Sequence, residues 1–365
     1  MKKTKKLICL MMALTLTACS SPSGSPAASA PAESPKPAET TAPAPTASAT
    51  PAPVAEAPKA ELTEEEAWKL EPRYGTKLIY YISDGCSAGP SLADELGYYK
   101  EAGLEVEGLK GDGSSDVDAL GTAAVDVNVG HFAKQVVPAT NGVDIVFVGG
   151  AHSGCKSLYV MADSPYFTQE DLKGLKISTP NGIGKSDYNI TARLLDADGI
   201  NPMNDVDLVQ VETSACVPAM EKGEIAAALL SDTYAYQMVK DGQLRVIRSM
   251  LDEDLGHICC AISMNGTFVR ENPITAAKLA SCVKKAHEYM AENPREATQI
   301  LVDIGLSSGD FEMNVEINDS LLYGSTDEFT GEQLQIICDD YKRLGLMTTT
   351  DSVEEIMEKI WIPLG

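Results

Sequence analysis

The residues best placed to do chemistry gather after short apolar runs: Asp84, Gly85, Cys86 and Ser87; Gly113, Ser114 and Ser115; Gly130, His131 and Phe132; and Gly150, Ala151 and His152. A second series follows the same plan, with Asn181, Gly182, Ile183, Gly184, Lys185 and Ser186, then Ser231, Asp232, Thr233 and Tyr234. Hydroxyls, amides, glycines and scattered charges of this kind orient a small polar solute rather than break a bond. Alternatives stand beside each group. Gly182-Ile183-Gly184 also reads as a tight strand-to-helix turn, and Ser186, Asp187 and Asp232 also read as helix caps. Gly184-Lys185-Ser186 mimics the end of a phosphate-binding loop, but the glycine required five residues before Gly184 is Thr179. Gly111-Asp112-Gly113 opens like a dinucleotide fingerprint and fails at its last glycine. With no GxSxG, no HExxH and no His/Cys/carboxylate run at ligand spacing, the expectation is binding without catalysis, cofactor or metal.

The cysteines sharpen that expectation. Of nine, Cys86, Cys155, Cys216, Cys259, Cys260, Cys282 and Cys338 fall in the folded part, an odd number with no CxxC spacing. Most read as small buried hydrophobes, with one disulfide left open. Cys259 and Cys260 are adjacent in an apolar strand-like run, so their side chains are expected on opposite faces and a metal pair there is not.

The elements that must hold these loops come in two similar series. The first reads as strands at 77–83, 104–110, 125–129 and 143–148, the second as strands at 175–178, 206–211, 225–230 and 244–247, with helical stretches between them. Ile82 matches Ile177, and Val146 matches Val246. Short apolar runs alternating with amphipathic helices imply α/β lobes, each built on a mostly parallel sheet. Ligands of such sheets sit beyond the strands' carboxyl ends, against helix N-termini with free N–H groups. Segments 157–161 and 257–264 read as two extended crossovers into the second lobe and back, which makes a hinge. From Pro273 on, period-3.6 patterns at 274–290, 294–302 and 330–344, the last followed by Gly345 as a C-cap, read as helices that pad the first lobe and brace the hinge. The expected domains are 61–160 plus 257–365 as the first lobe and 161–256 as the second.

The N-terminal part has a different character. Lysines at 2, 3, 5 and 6 precede an apolar run, Leu7 to Ala18, too short to span a bilayer. Residues 1–18 therefore read as a signal peptide, and Leu16-Thr17-Ala18-Cys19 resembles the bacterial lipobox, which implies lipidation at Cys19. Residues 19–60, rich in Ser, Pro, Ala and Thr, read as a tether. The expected location is extracytoplasmic, anchored to the membrane by lipid only. A net charge of −24 from 29 basic and 53 acidic residues argues against nucleic acid as a partner.

Leu96-Gly97-Tyr98-Tyr99-Lys100-Glu101-Ala102-Gly103-Leu104-Glu105-Val106 resembles a segment of ABC-transporter solute-binding proteins of the nitrate/sulfonate/taurine and thiamine-precursor group. So do Ala124–Gly130, Asp171–Ser178 and Glu221–Ala228, and the similarity covers about 75–250. That resemblance implies a two-lobed type II periplasmic-binding-protein fold with a double crossover hinge and C-terminal helices. It also implies a monomer that closes on one small solute, a sulfonate, a nitrate-like anion or a thiamine-precursor-like heterocycle, and delivers it to an ABC permease with a cytoplasmic ATPase. Two other readings stay open. One is a pyrimidine-synthase-like enzyme of the same fold, which by resemblance would use lysine-bound pyridoxal phosphate and a histidine. The other is a solute receptor for a signalling partner.

Overall fold

The computed structural model describes residues 62–111, 116–252 and 258–364. Signal, lipobox and tether, with Cys19, lie outside the described residues, as do Ser114 and Ser115. Two sheets organise the rest. The first has six strands: β1 (Lys77–Ile82), β2 (Glu105–Lys110), β3 (Val127–His131), β4 (Ile145–Ser153), β10 (Ile258–Asn265) and β11 (Leu322–Tyr323), in the order β11-β4-β10-β3-β1-β2. The second has five: β5 (Lys156–Met161), β6 (Lys176–Ser178), β7 (Asp207–Val209), β8 (Ala227–Ser231) and β9 (Leu244–Ser249), in the order β7-β6-β8-β5-β9.

The pairs β1 with β2 and β3, and β6 with β7 and β8, are parallel, each linked through helices as the sequence implies. The expected mostly parallel sheets are in fact mixed. Both crossovers became full strands: β10 lies antiparallel between β3 and β4, and β5 antiparallel between β8 and β9. All eight residues of β10 are buried, so its backbone groups must pair within the sheet, and a free extended connector there would leave them unsatisfied. The same pairing lengthens β4 beyond its expected end at Val148 to Ser153, because β10 on one side and β11 on the other keep it extended. Gly149 and Gly150 suit this crowded stretch. A Cβ at Gly149 would lie 2.6 Å from Lys284 Cε, and one at Gly150 2.3 Å from Thr330 Oγ1.

The three expected C-terminal helices form, as Pro273–Glu292, Pro294–Asp303 and Asp327–Arg343, and Phe311–Ser320 and Val353–Ile360 add two more. Helix Pro273–Glu292 buries Leu279, Val283 and Ala286 against β4 and helix Gly89–Glu95. Helix Asp327–Arg343 reaches across to helix Ser186–Ala197 of the second series through Arg193–Asp340 at 2.8 Å and Arg343–Asp196 at 2.6 Å. One apolar core runs from Leu78 and Val129 through Leu158 to Ile177 and Leu229. No described helix is long and apolar enough to cross a membrane.

Candidate functional site

A cavity of about 410 Å³ opens over the carboxyl ends of β1, β2 and β3, lined by Asp84, Ser87, Lys110, Asp116, His131 and Lys134 among others. That volume lies within the roughly 300–1,000 Å³ of small-molecule sites. Its wall is fixed from behind. The Asp116 carboxylate is buried and takes Asn128 Nδ2 at 3.0 Å, Gln135 Nε2 at 3.1 Å and the Lys134 ammonium at 2.9 Å, so the charge is desolvated only where donors surround it. Gly130 is required there, since a Cβ would stand 2.7 to 2.9 Å from Gln135, Asn128 and Asp116. On the opposite wall the N–H of Gly85 donates to Leu306 O at 3.0 Å and pins the loop that carries Asp84 and Ser87.

Next to His131 lies a group of thiols. His131 Nδ1 is 3.2 Å from Cys259 Sγ and 3.8 Å from Cys260 Sγ, and Cys155 Sγ is 3.0 Å from Cys259 Sγ. The expected opposite facing of Cys259 and Cys260 is wrong. Ile258 pairs with Ser153 and Cys260 with the very next residue, His152, so a bulge at Cys259 breaks the two-residue alternation. His131, Cys259 and Cys260 bring their donor atoms within 4.8 Å of one another, a soft set of the kind that Zn²⁺ or Cu⁺ accepts. The absence of any metal-ligand spacing in the sequence therefore hid a possible donor set. Deeper still, His152 and His287 are fully buried on either side of Tyr323, with ring centroids 5.4 and 5.9 Å from the phenol ring. No imidazole nitrogen of the two has a hydrogen-bond partner, although the sulfurs of Cys86 and Cys260 border His152. Burial pushes His287 down to about 3.

The second sheet contributes a different surface. In the loop after β6, Gly182 and Gly184 take φ of +83° and +74°, conformations that favour glycine, and lead into helix Ser186–Ala197. Lys185 is its N-cap residue without a side-chain cap bond. Asp187 is no simple cap. Its Oδ1 holds the buried Lys156 ammonium at 2.6 Å, and its Oδ2 accepts the Asn181 N–H at 3.1 Å. Burial pulls the Lys156 ammonium down, but the Asp187 carboxylate outweighs it and leaves that amine above its ordinary value. Ser231, not Asp232, caps the next helix, accepting the Tyr234 N–H at 3.2 Å. Asp232 instead accepts the Tyr159 hydroxyl at 2.7 Å, while burial raises its carboxyl above the usual range and the Tyr159 bond partly counters that. Its own N–H donates to Cys155 O at 2.9 Å, which ties this rim to the thiol group.

The expected residues thus divide. Asp84, Ser87, Gly130 and His131 line the cavity of the first sheet. Cys86 is half-buried beside them. Asn181, Gly182, Gly184, Lys185, Ser186, Asp232 and Tyr234 sit at the carboxyl ends of β6 and β8. Phe132 belongs to the core, 4.5 Å from the Phe147 ring, and His152 lies within β4 rather than in a loop. Ile183 is 80% exposed. Sequence reasoning passed over Lys134, Asp116, Cys155 and Tyr159. Lys134, one helical turn after His131, carried a signal; the others became visible only through pairing. A larger hollow of about 990 Å³ lies at the other end of the second sheet, near Lys176 and Ala226, where the amino ends of β6 and β8 offer no helix N-termini.

Residues 87–297 match the family described as NMT1/THI5 like. The chain belongs to that family. Curated relatives include the nitrate import ATP-binding protein NrtC of Synechococcus elongatus, 24% identical over 58% of this chain and 34% of that protein. Another is the 4-amino-5-hydroxymethyl-2-methylpyrimidine phosphate synthase of Candida albicans, 24% identical over 56% of this chain and 64% of the relative. The alignments thus span about a third to two thirds of the relatives' own length. Among solved structures, the periplasmic aliphatic sulphonate binding protein SsuA of Escherichia coli aligns at TM-score 0.64 and 19% identity, covering 79% of this chain and 92% of that one. The periplasmic nitrate-binding protein NrtA of Synechocystis aligns at TM-score 0.60 and 18% identity, covering 78% and 85%. The fold is that of the periplasmic binding proteins.

Proposed function

We propose that this family member is an extracytoplasmic, lipid-anchored solute-binding protein that captures one small polar metabolite and delivers it to an ABC importer without chemical change. The reading rests on one observation above all: two sheets joined by a double crossover, each ending in a polar rim at its strands' carboxyl ends. We place the strands of the first sheet in one lobe and β5 to β9 in the other, which sets the first crossing near Cys155 rather than at residue 160, and closure of the two lobes about the crossings sequesters the solute. The candidate residues named above carry both signs of charge and include no arginine, so a solute with separated donor and acceptor groups suits them better than a bare oxyanion, for which the bidentate guanidinium is the usual partner. A thermal-shift screen of sulfonates, nitrate, pyrimidines, amines and amino acids tests the proposal. A true ligand at a hundred times its Kd stabilises by about 2.7 kcal/mol. No response from any class rejects the proposal.

A synthase reading draws support from the curated relatives and from His131 and Lys134 standing one helical turn apart. Lys134 is held by the buried Asp116 at 2.9 Å, a pairing that would have to open before its amine could form a Schiff base. An absorbance band of bound pyridoxal phosphate that disappears in Lys134→Ala decides for the enzyme.

A further inference from the structure

Four cysteines from three separate segments converge where the two crossovers pass. Cys155 follows Gly154 at the exit of β4, Cys259 and Cys260 lie at the start of the returning β10, and Cys86 belongs to the loop after β1. The Cys155 and Cys259 sulfurs are 3.0 Å apart across a sequence separation of 104 residues, closer than ordinary sulfur contact, yet both are free thiols. Cys155 adopts φ of +86°, a left-handed conformation that a residue with a side chain rarely takes, and its carbonyl accepts the Asp232 N–H at 2.9 Å. The backbone is thus held in an unusual state that aims this thiol at its partner. Cys86, the half-exposed member, borders both Cys155 and Cys260.

We propose that Cys155 and Cys259 form a disulfide that staples the outgoing crossover to the returning one, with Cys86 as the thiol through which it is made and broken. The oxidant is an external disulfide, R–S–S–R. The Cys86 thiolate attacks one of its sulfurs and R–S⁻ leaves. Cys155 attacks the Cys86 sulfur of the mixed disulfide and expels the second R–S⁻. Cys259 then attacks Cys155, forms the final S–S bond and returns Cys86 as thiolate. Two protein thiols are oxidised, their two protons pass to solvent or to the departing thiolates, and one external disulfide is reduced to two thiols. A bond here closes a loop containing the whole second sheet and restricts the hinge.

The test uses the full chain, freed of metal by chelation, reduced, then exposed to oxidised glutathione. Expected are the loss of two alkylatable thiols, a Cys155–Cys259 linked peptide in a non-reducing digest, and a Tm rise of about 5 °C that dithiothreitol reverses. Cys86→Ser slows the bond by about tenfold or more without abolishing it, whereas Cys216→Ser changes nothing. Cys155→Ser or Cys259→Ser each removes the linked peptide; should either fail to fold, the peptide map of the unaltered chain still decides. Thiols that stay alkylatable, a link between a different pair, or oxidation resisted until a co-purified metal is stripped and restored when it is returned would each overturn the staple. An unchanged rate in Cys86→Ser would overturn the relay.

Discussion

The two rims hold their charges by different means. In the first, Asp116 is fixed by Asn128, Gln135 and Lys134 of its own sheet and the helix after it, and the ring nitrogens of His152 and His287 beneath have no hydrogen-bond partner. In the second, both carboxylates are held from the crossover strand: Asp187 by Lys156, and Asp232 by Tyr159 and by the carbonyl of Cys155 on its N–H. The first rim's buried carboxylate is therefore held within its own lobe, whereas the second's carboxylates are held from the crossover strand β5. Under the proposed closure, a crossover strand that carries these donors couples opening to the electrostatics of the second rim, because a twist of β5 moves both Lys156 and Tyr159.

The largest expected effect breaks that coupling. Lys156→Met leaves the buried Asp187 without its ammonium and should cost roughly 3–5 kcal/mol in urea unfolding, with much of it recovered in the double variant with Asp187→Asn. The matching change in the other rim, Lys134→Met, should cost distinctly less, because Asp116 keeps two amide donors. Equal losses would erase the distinction between the rims.

Acid probes the first lobe next. His287 is held neutral in the fold at about 3, against an ordinary value of about 6.5 in the unfolded chain. The unfolded state therefore binds the proton first, and stability falls as pH drops through about 6.5 towards 3, by at most about 5 kcal/mol. His287→Gln should flatten that part of the pH profile of Tm. A profile as steep as the parent's would mean that groups other than His287 carry the acid response.

These contrasts show what the sequence could reveal. Parallel βα units were legible because apolar runs alternate with helical periodicity, and the loops at their ends followed from the strand-end rule. The crossovers were legible as extended segments but not as central strands, because pairing depends on what lies alongside: β10 inserts between β3 and β4, over a hundred residues away in sequence. The thiol group was illegible for the same reason. Its members come from residues 86, 155, 259 and 260, and a one-residue bulge turned two adjacent cysteines towards one histidine. His152 was misplaced because glycines at 149 and 150 read as a loop, whereas close packing on Lys284 and Thr330 is what requires them.

A third prediction concerns the Gly182 turn, whose φ of +83° and 2.8 Å approach to Gln210 Oε1 both resist a methyl group. Gly182→Ala should destabilise by about 1–2 kcal/mol and displace the loop that presents Asn181 and Lys185. Gly184→Ala, where φ is +74° but no atom lies within 4 Å of the added Cβ, should cost less, and the difference measures the Gln210 contact.

The smallest effect on stability, and the sharpest test of the binding reading, comes from Asp232→Asn. The amide keeps an oxygen for the Tyr159 hydroxyl and the backbone tie to Cys155 is untouched, so unfolding should shift by no more than about 1 kcal/mol. Solute affinity, measured by calorimetry with whichever class responds in the thermal screen, should fall by about tenfold if the carboxylate accepts from the solute, as a lost charge-assisted hydrogen bond implies. Asp84→Asn in the first rim gives the counterpart. If only Asp232 matters, the solute is gripped chiefly by the rim held from the crossover strand, and closure and recognition are one event; if both variants bind as the parent does, the two carboxylates are bystanders and the solute lies elsewhere.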